Sequence, residues 1–375
     1  MARTFYEFFA GGGMARLGLG DGWRCLFAND VDPAKAAAYR ENFPPAAELT
    51  LADVASLTTT ELPGRADLAW ASFPCQDLSL AGQGAGLAGA RSGTFWPFWR
   101  LIEALGREGR APRIVALENV CGALTSHGGR DFGAIAEALA PLYRFGALVV
   151  DAALFVPQSR PRLFILGVAE DIALAHAEAD PDWHPRALVE AVGRLEPKIA
   201  ARWVWWRPAT PATRNAQFAD LMEAEPGDVR WHEDAATARL LALMAPLHLA
   251  RVREAQASGR PLVGALYRRT RVEGGVRKQR AEIRFDGLAG CLRTPAGGSS
   301  RQSLIAVSGE TIRSRLLSAR EAARLMGLPD DYRLPKNYNA AYRLVGDGVA
   351  VPVVRHLAAR LIEPLLDARP ALAAE

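Results

Sequence analysis

The sequence has little cysteine, little lysine and no long apolar run. Four cysteines, Cys25, Cys75, Cys121 and Cys291, are scattered through 375 residues without a Cys-x-x-Cys pair. That spacing excludes a zinc-ribbon ligand set and a disulfide framework, and no metal is expected. No apolar stretch reaches the roughly 18 residues that a membrane-spanning helix requires. The opening MARTFYEFFAGGG turns to glycine before a signal-peptide core could form. A cytoplasmic, reducing location is therefore expected, where a lone thiol stays free to react. The scarcity of lysine leaves Arg as nearly the whole of the positive charge. Its planar fork suits phosphate and guanine, although GC-rich coding would give the same bias. The formal net charge of +4 is a mild excess. It fits a polyanionic partner and excludes the extreme basicity of a ribosomal protein.

Half of the residues are hydrophobic and 23% are charged, enough for a sizeable core. At about 150 residues per domain, the length calls for two. Residues 3–9 read as a short buried strand, Ala10-Gly11-Gly12-Gly13 as a tight turn and Met14 onward as a helix. Strand, glycine turn and helix in that order open a nucleotide-binding α/β unit. Further strands are expected over 24–28, ahead of Asp30 and Asp32, and over 67–72, ahead of Phe73-Pro74-Cys75-Gln76. Two more are expected over 113–117, ahead of Glu118-Asn119-Val120, and over 163–167. Pro33 starts a helix over 33–42, and a third short segment ends at Asp53. Alternating strands and helices predict a mostly parallel sheet covered on both faces. Ligands gather at the carboxyl ends of such strands, where these polar residues stand. Beyond about residue 180 the character changes. Residues 181–211 are rich in Pro and Trp, 251–284 in Arg, and 287–303 in Gly, Ser and Thr. We read this region as a second, smaller domain with irregular loops. Helical periodicity returns over 318–326 and 351–366, and no internal repeat is visible.

The glycine turn alone serves equally as a structural turn, a dinucleotide site or a methyl-donor site. Asp30, at the end of the second strand, can accept both ribose hydroxyls, and Asp53 can accept from an adenine amino group. Either Asp alone is ordinarily a cap; with the loop they outline an adenosine-type pocket. Most free cysteines are inert core residues, and Cys121 reads that way. Cys75 instead follows Pro74 at a strand-to-loop junction in the expected crevice. The loop beyond it carries Gly82, Gly84, Gly86, Gly89 and Gly93, which makes it cheap to reshape as a lid. Glu118 is a carboxyl able to face the same crevice. A thiolate, a carboxyl and an adenosine cofactor together suit methylation at carbon 5 of cytosine. Thiolate addition at carbon 6 makes carbon 5 nucleophilic, and a carboxyl bonded to ring N3 stabilises the charge that develops. Loss of the C5 proton and of the thiol then restores aromaticity. A duplex base must leave its stack to reach such groups.

These residues lie in segments that resemble the DNA (cytosine-5)-methyltransferase family from end to end. FYEFFAGGGMARLGL is similar to its first cofactor motif, NDVD to its ribose-binding segment and ADV at 52–54 to its adenine-contacting segment. ASFPCQDLSLAGQ resembles the Pro-Cys-Gln catalytic motif, LENVCG the Glu-Asn-Val motif and PQSRPRLFILG the Gln-x-Arg-x-Arg motif. REAARLMGLPDDY and NAAYRLVGDGVAVPVVRHL resemble the last two. The resemblance implies an α/β fold, a Rossmann-like S-adenosylmethionine-dependent methyltransferase sheet with a smaller target-recognition domain. Expected boundaries are 1–200 for the cofactor-binding and catalytic domain, 201–335 for target recognition and 336–375 for a segment returning to the catalytic domain.

By the same resemblance, Cys75 is the nucleophile and Glu118 the N3 partner, with Arg160 and Arg162 holding the base and orienting Glu118. Phe9, Gly11, Gly13, Asp30, Val31, Asp53, Pro74 and Asp347 would contact S-adenosylmethionine. Gln76 and Ser79 would contact DNA, and 79–93 would be the mobile catalytic loop. Three residues depart from the family pattern. Met14 stands where many members carry Gly, Asp30 replaces a more frequent Glu, and Asp347 stands where many have Asn. A carboxylate there is unfavourable near the cofactor's own carboxylate unless it is paired. The interval 200–310 would read DNA, with Arg268, Arg269 and Thr294 as contacts, whereas Trp203, Trp205 and Trp206 read as hinge or core packing. Expected partners are double-stranded DNA and a cognate restriction endonuclease, for a monomeric enzyme. The alternatives are an RNA-directed methyltransferase of the same fold, against which the long Arg-rich segment speaks, and an inert DNA-binding relative, which would be expected to lack Cys75 or Glu118.

Overall fold

The computed structural model describes residues 2–74, 92–294 and 301–368. Cys75, Gln76 and Ser79, with most of the glycine-rich loop, lie outside them. The chain folds into two compact units, one of residues 1–151, 161–211 and 351–375, the other of 152–160 and 212–350.

In the first unit the chain runs β1 (Arg3–Phe8), α1 (Met14–Leu19), β2 (Trp23–Asp30), α2 (Pro33–Asn42), β3 (Leu49–Leu51), β4 (Leu68–Ala71) and α3 (Phe95–Arg107). It continues through β5 (Ile114–Val120), α4 (Arg130–Leu139), β6 (Arg144–Asp151), β7 (Pro161–Val168), α5 (Arg186–Val192) and α6 (Pro197–Ala200). The seven strands form one sheet in the order β3-β2-β1-β4-β5-β7-β6. β3 through β5 pair in parallel, while β7 runs antiparallel to both β5 and β6. A mixed α/β fold with a mostly parallel sheet is thus what forms. Every residue of β4 is buried, and so are six of the seven in β5, as a sheet covered on both faces demands. Asp32 caps α2 by accepting from the amides of Ala34 and Lys35, with Pro33 in the first turn. α3 buries Phe95, Phe98, Trp99, Ile102 and Leu105, one helical stripe, against the sheet. Trp206 is buried, and Trp203 packs edge-on against Phe132, Phe145 and Trp205. These indoles fill core, as expected.

The second unit contains α7 (Asp234–Ala242), α8 (Pro246–Ala257), β8 (Leu262–Glu273), β9 (Val276–Arg284), β10 (Ser303–Ser308), β11 (Thr311–Leu316), α9 (Ala319–Arg324) and α10 (Tyr338–Asp347). Its sheet is antiparallel, in the order β11-β10-β8-β9. Val252 and Ala255 of α8 pack with Met244 on Leu266, Ala281, Ile283, Ile305 and Val307. The expectation of irregular loops fails over 262–284, which is a long regular hairpin. Apart from Val272 and Val276 its outer half is polar on both faces, so no apolar alternation announces it.

The chain then returns to the first unit as α11 (Val351–Leu357), a π-helical turn (Ala358–Ile362) and α12 (Glu363–Asp367). α11 lies against α1, where only a glycine at position 18 fits. A Cβ there would meet Val354 Cβ at 2.5 Å and the Val351 carbonyl oxygen at 2.7 Å. No helix among the described residues is long and apolar enough to cross a membrane.

Candidate active site

The glycine turn after β1 is built from left-handed residues: Phe9, Gly11 and Gly13 have φ of 57°, 56° and 77°. Gly13 also leaves no room for a side chain, since a Cβ would fall 2.3 Å from the Phe43 ring. Gly11, by contrast, faces open space. Met14 turns inward and is buried, so the departure at this position adds core rather than blocking the turn. Asp30, at the end of β2, is 7% exposed. One of its oxygens accepts from the Gly11 amide at 2.8 Å and the other from the Asp32 amide at 2.8 Å. Its carboxylate therefore braces the turn. Val31 beside it is 66% exposed, an apolar side chain presented to solvent. Asp53 is exposed and caps a short 3-10 turn through the Ala55 amide.

Sequence reasoning missed Glu7. It is 1% exposed beneath the turn, and Oε1 accepts from the Arg16 amide at 3.2 Å. Oε2 has no hydrogen-bond partner among the described residues. Burial, reinforced by the nearby charges of Asp30 and Glu48, outweighs the Arg16 contacts and pushes its pKa up to about 8. Glu7 is thus a neutral acid at pH 7. Its only sequence signal is a carboxyl inside an otherwise buried strand. Arg16, Tyr39, Glu48 and Cys25 form a linked polar cluster nearby. Burial raises the Cys25 thiol to about 12, so it is no nucleophile.

At the carboxyl end of β5, Glu118 is 6% exposed and its Oε1 lies 3.1 Å from Arg162 Nε. Arg162 stands near the start of β7, and the β5–β7 register places Val120 opposite it and Phe164 opposite Glu118. Asn119, also missed, donates from Nδ2 to the Phe73 carbonyl at 3.2 Å and accepts from the Val120 amide at 2.8 Å. It ties the end of β5 to the segment Phe73-Pro74, the last described residues before Cys75. Cys121 is half-buried with its thiol pushed up to about 11, chiefly by burial, which fits its reading as an inert neighbour.

Arg160 belongs to the second unit and meets different partners. Its guanidinium, 2% exposed, donates to the carbonyls of Leu292, Gly346 and Gly348 at 3.0, 3.0 and 2.7 Å. Gln158 works alongside it, accepting from the Leu292 amide at 2.9 Å and donating to the Leu325 carbonyl at 2.7 Å. Of the two arginines expected to act together, Arg162 holds Glu118 and Arg160 holds the carbonyls of Leu292, Gly346 and Gly348. Asp347 accepts from the Thr294 hydroxyl and lies 3.7 Å from Arg343 Nε. The unpaired carboxylate that the Asn-to-Asp departure threatened does not arise. Arg268 and Arg269, adjacent on β8, point to opposite faces of the strand. No cluster of His, Cys, Asp and Glu suited to a metal occurs among the described residues.

A mostly parallel sheet with a glycine turn, a carboxylate brace and a buried ion pair at its strand ends defines an α/β domain. Comparison with known proteins makes the class specific. Residues 3–363 match the family model of the C-5 cytosine-specific DNA methylases, and the chain belongs to that family. Type II methyltransferase M.BsuFI of Bacillus subtilis is 26% identical over 366 residues, 97% of this chain and 73% of the relative. M.NgoBI of Neisseria gonorrhoeae is 26% identical over 353 residues, 93% of this chain and 89% of the relative. Among solved structures, the S. pombe Dnmt2 methyltransferase aligns over 97% of this chain and 99% of its own, with a TM-score of 0.57 and 17% identity. The Entamoeba histolytica methyltransferase EhMeth aligns over 97% and 99%, with a TM-score of 0.60 and 12% identity. At those identities the likeness concerns the fold.

Proposed function

We propose that this chain is the modification methylase of a Type II restriction–modification pair. It methylates carbon 5 of an extruded cytosine, in a specific duplex sequence, through a temporary bond from Cys75 to carbon 6. The observation that carries this reading is the arrangement at the end of β5. Glu118 is gripped by Arg162, while Asn119 fixes Phe73-Pro74, from which the chain enters Cys75. The Type II setting rests on the names of relatives at about a quarter identity over most of their length.

The residues fit S-adenosylmethionine. Gly11 opens onto free space, Val31 would offer an apolar surface to the adenine, and Asp30 and Asp53 would accept from the ribose hydroxyls and the adenine amino group. Glu7, protonated, adds no second charge beside Asp30 and has one oxygen unengaged. When bound, the cofactor supplies an electrophilic methyl on a sulfonium. The protein does the rest. Cys75 gives up its proton and adds to carbon 6. Glu118, with Oε1 fixed by Arg162, brings a proton on its other oxygen to ring N3 and donates it as negative charge reaches the ring. Arg162 keeps that carboxyl oriented throughout. Once carbon 5 carries the methyl, its proton passes to solvent, and the electrons left behind expel the Cys75 sulfur and close the cycle. Arg160 and Asp347 we assign to bracing the second unit, around Leu292 and Thr294.

Bisulfite sequencing of DNA from cells expressing the chain should reveal 5-methylcytosine in one short sequence context. Methylation confined to RNA would overturn the DNA assignment. Cys75→Ser should abolish methyl transfer while leaving S-adenosylmethionine binding, measured by calorimetry, intact. The unaltered chain should form a covalent adduct with duplex carrying 5-fluorocytosine, because fluorine cannot leave as the proton does. Turnover in the Ser variant, or no adduct where ordinary duplex is methylated, would refute the covalent route.

A further inference from the structure

The hairpin β8–β9 outgrows its sheet. β10 pairs with β8 only as far as Leu266, and the last partner of β9 outside the hairpin is Leu243, at Ala281. From 269 to 280 the two strands have only each other as backbone partners among the described residues, turning at Gly274-Gly275. The free ribbon is about 20 Å long at roughly 3.3 Å per residue, and two strands about 5 Å apart match the width of a B-DNA major groove. Residues 268–282 hold six cationic side chains and two carboxylates, an excess equal to the formal net charge of the whole chain, +4.

The two faces are chemically sorted. Register places Tyr267, Arg269, Arg271, Lys278, Arg280, Glu273 and Glu282 on one face. Both carboxylates are there and both are taken: Arg271 and Arg269 lie on Glu282, and Arg280 and Lys278 on Glu273. Arg269 also stacks on Tyr267, 4.7 Å from its centroid. The opposite face carries Arg268, Thr270 and Val272, paired across the ribbon with Ala281, Gln279 and Arg277. It has no carboxylate, and Thr270, Val272, Arg277 and Gln279 are all exposed. Arg, Gln and Thr are the side chains that read guanine and adenine edges, and Val or Ala suits a thymine methyl.

We infer that the β8–β9 ribbon enters the DNA major groove and that Arg277 and Gln279, on its carboxylate-free face, determine which bases are accepted. Thr270 lines the same face, and the ion-paired face turns to the phosphates. The inference rests on the DNA-methylase reading and narrows the expected DNA-reading interval, 200–310, to two side chains on one face of one hairpin.

The test begins with the sequence that the unaltered chain methylates. Rates are then compared on that duplex and on duplexes altered at one base pair, for Arg277→Ala, Gln279→Ala and Lys278→Gln. Arg277→Ala and Gln279→Ala should each lower the preference, as a ratio of kcat/KM values, by about tenfold at one base position. Lys278→Gln should keep the ranking of sites and reduce only the steepness of the salt dependence. All three side chains are exposed, and melting curves will verify the fold. If the unaltered chain methylates DNA but neither alanine variant changes site preference, the inference is overturned and the parent reading stands. A uniform loss on every sequence means phosphate contact, and also overturns it. If the unaltered chain methylates no DNA, both fall together.

Discussion

Glu7 sets an acid where a carboxylate is costly, and the cost is measurable through pH. Its folded pKa of about 8 exceeds the ordinary 4.5. Between those values the folded chain holds a proton that the unfolded chain has released. Stability contributed at this site is therefore full in mild acid, declines as pH rises towards about 8 and levels off above it. Glu7→Gln, isosteric and uncharged, should escape that decline. Its melting temperature should gain on the unaltered chain steadily from about pH 5 to pH 8, and a gap that stays constant with pH would contradict the assignment. Arg160 and Arg162 are two apart, the spacing of neighbours on one strand face, but β7 begins only at Pro161. Arg160 lies outside the strand, and its guanidinium donates to the carbonyls of Leu292, Gly346 and Gly348. The turn itself was legible at Gly11 and Gly13, because left-handed backbone after a buried strand favours glycine before any packing is known.

At the scale of elements, the sequence reveals what is amphipathic or uniformly apolar and hides what is polar throughout. β4, β5 and β7 announce themselves as buried runs ending in polar residues. The β8–β9 ribbon does not, because its alternation sorts charge from charge rather than apolar from polar. Close helix contacts are equally silent until the partner is in place. Gly18 in α1 is an undistinguished glycine in sequence, yet the α1–α11 contact depends on it. Gly18→Val should destabilise the chain by at least about 1–3 kcal/mol through overpacking, read from urea denaturation. Gly22→Ala, where a Cβ would meet nothing within 4 Å, serves as the comparison and should change the midpoint little.

For the molecule as a whole, the path of the chain matters more than its order of motifs. The first unit is completed only by residues that come after the second unit, and Val353, Val354, Leu357, Ala358 and Ile362 are all at most 2% exposed. A chain ending at Ala350 should lose its cooperative unfolding transition and its S-adenosylmethionine binding. Retention of both would show that α11 and α12 are dispensable. Periodicity over 351–366 pointed to helices, but no local pattern tells where a helix will dock.

The polarity of one strand settles how the catalytic carboxyl finds its cation. Had β7 run parallel to β5, its terminal Val168 would stand beside Val120, and Arg162 would lie at the far rim of the sheet, roughly 20 Å away. Reversal sets the tail of one strand against the head of its neighbour, so an acid near the end of β5 and a base near the start of β7 become diagonal cross-strand neighbours. The spacing of the pair is therefore inherited from the pitch of a β-sheet rather than from the habits of a loop.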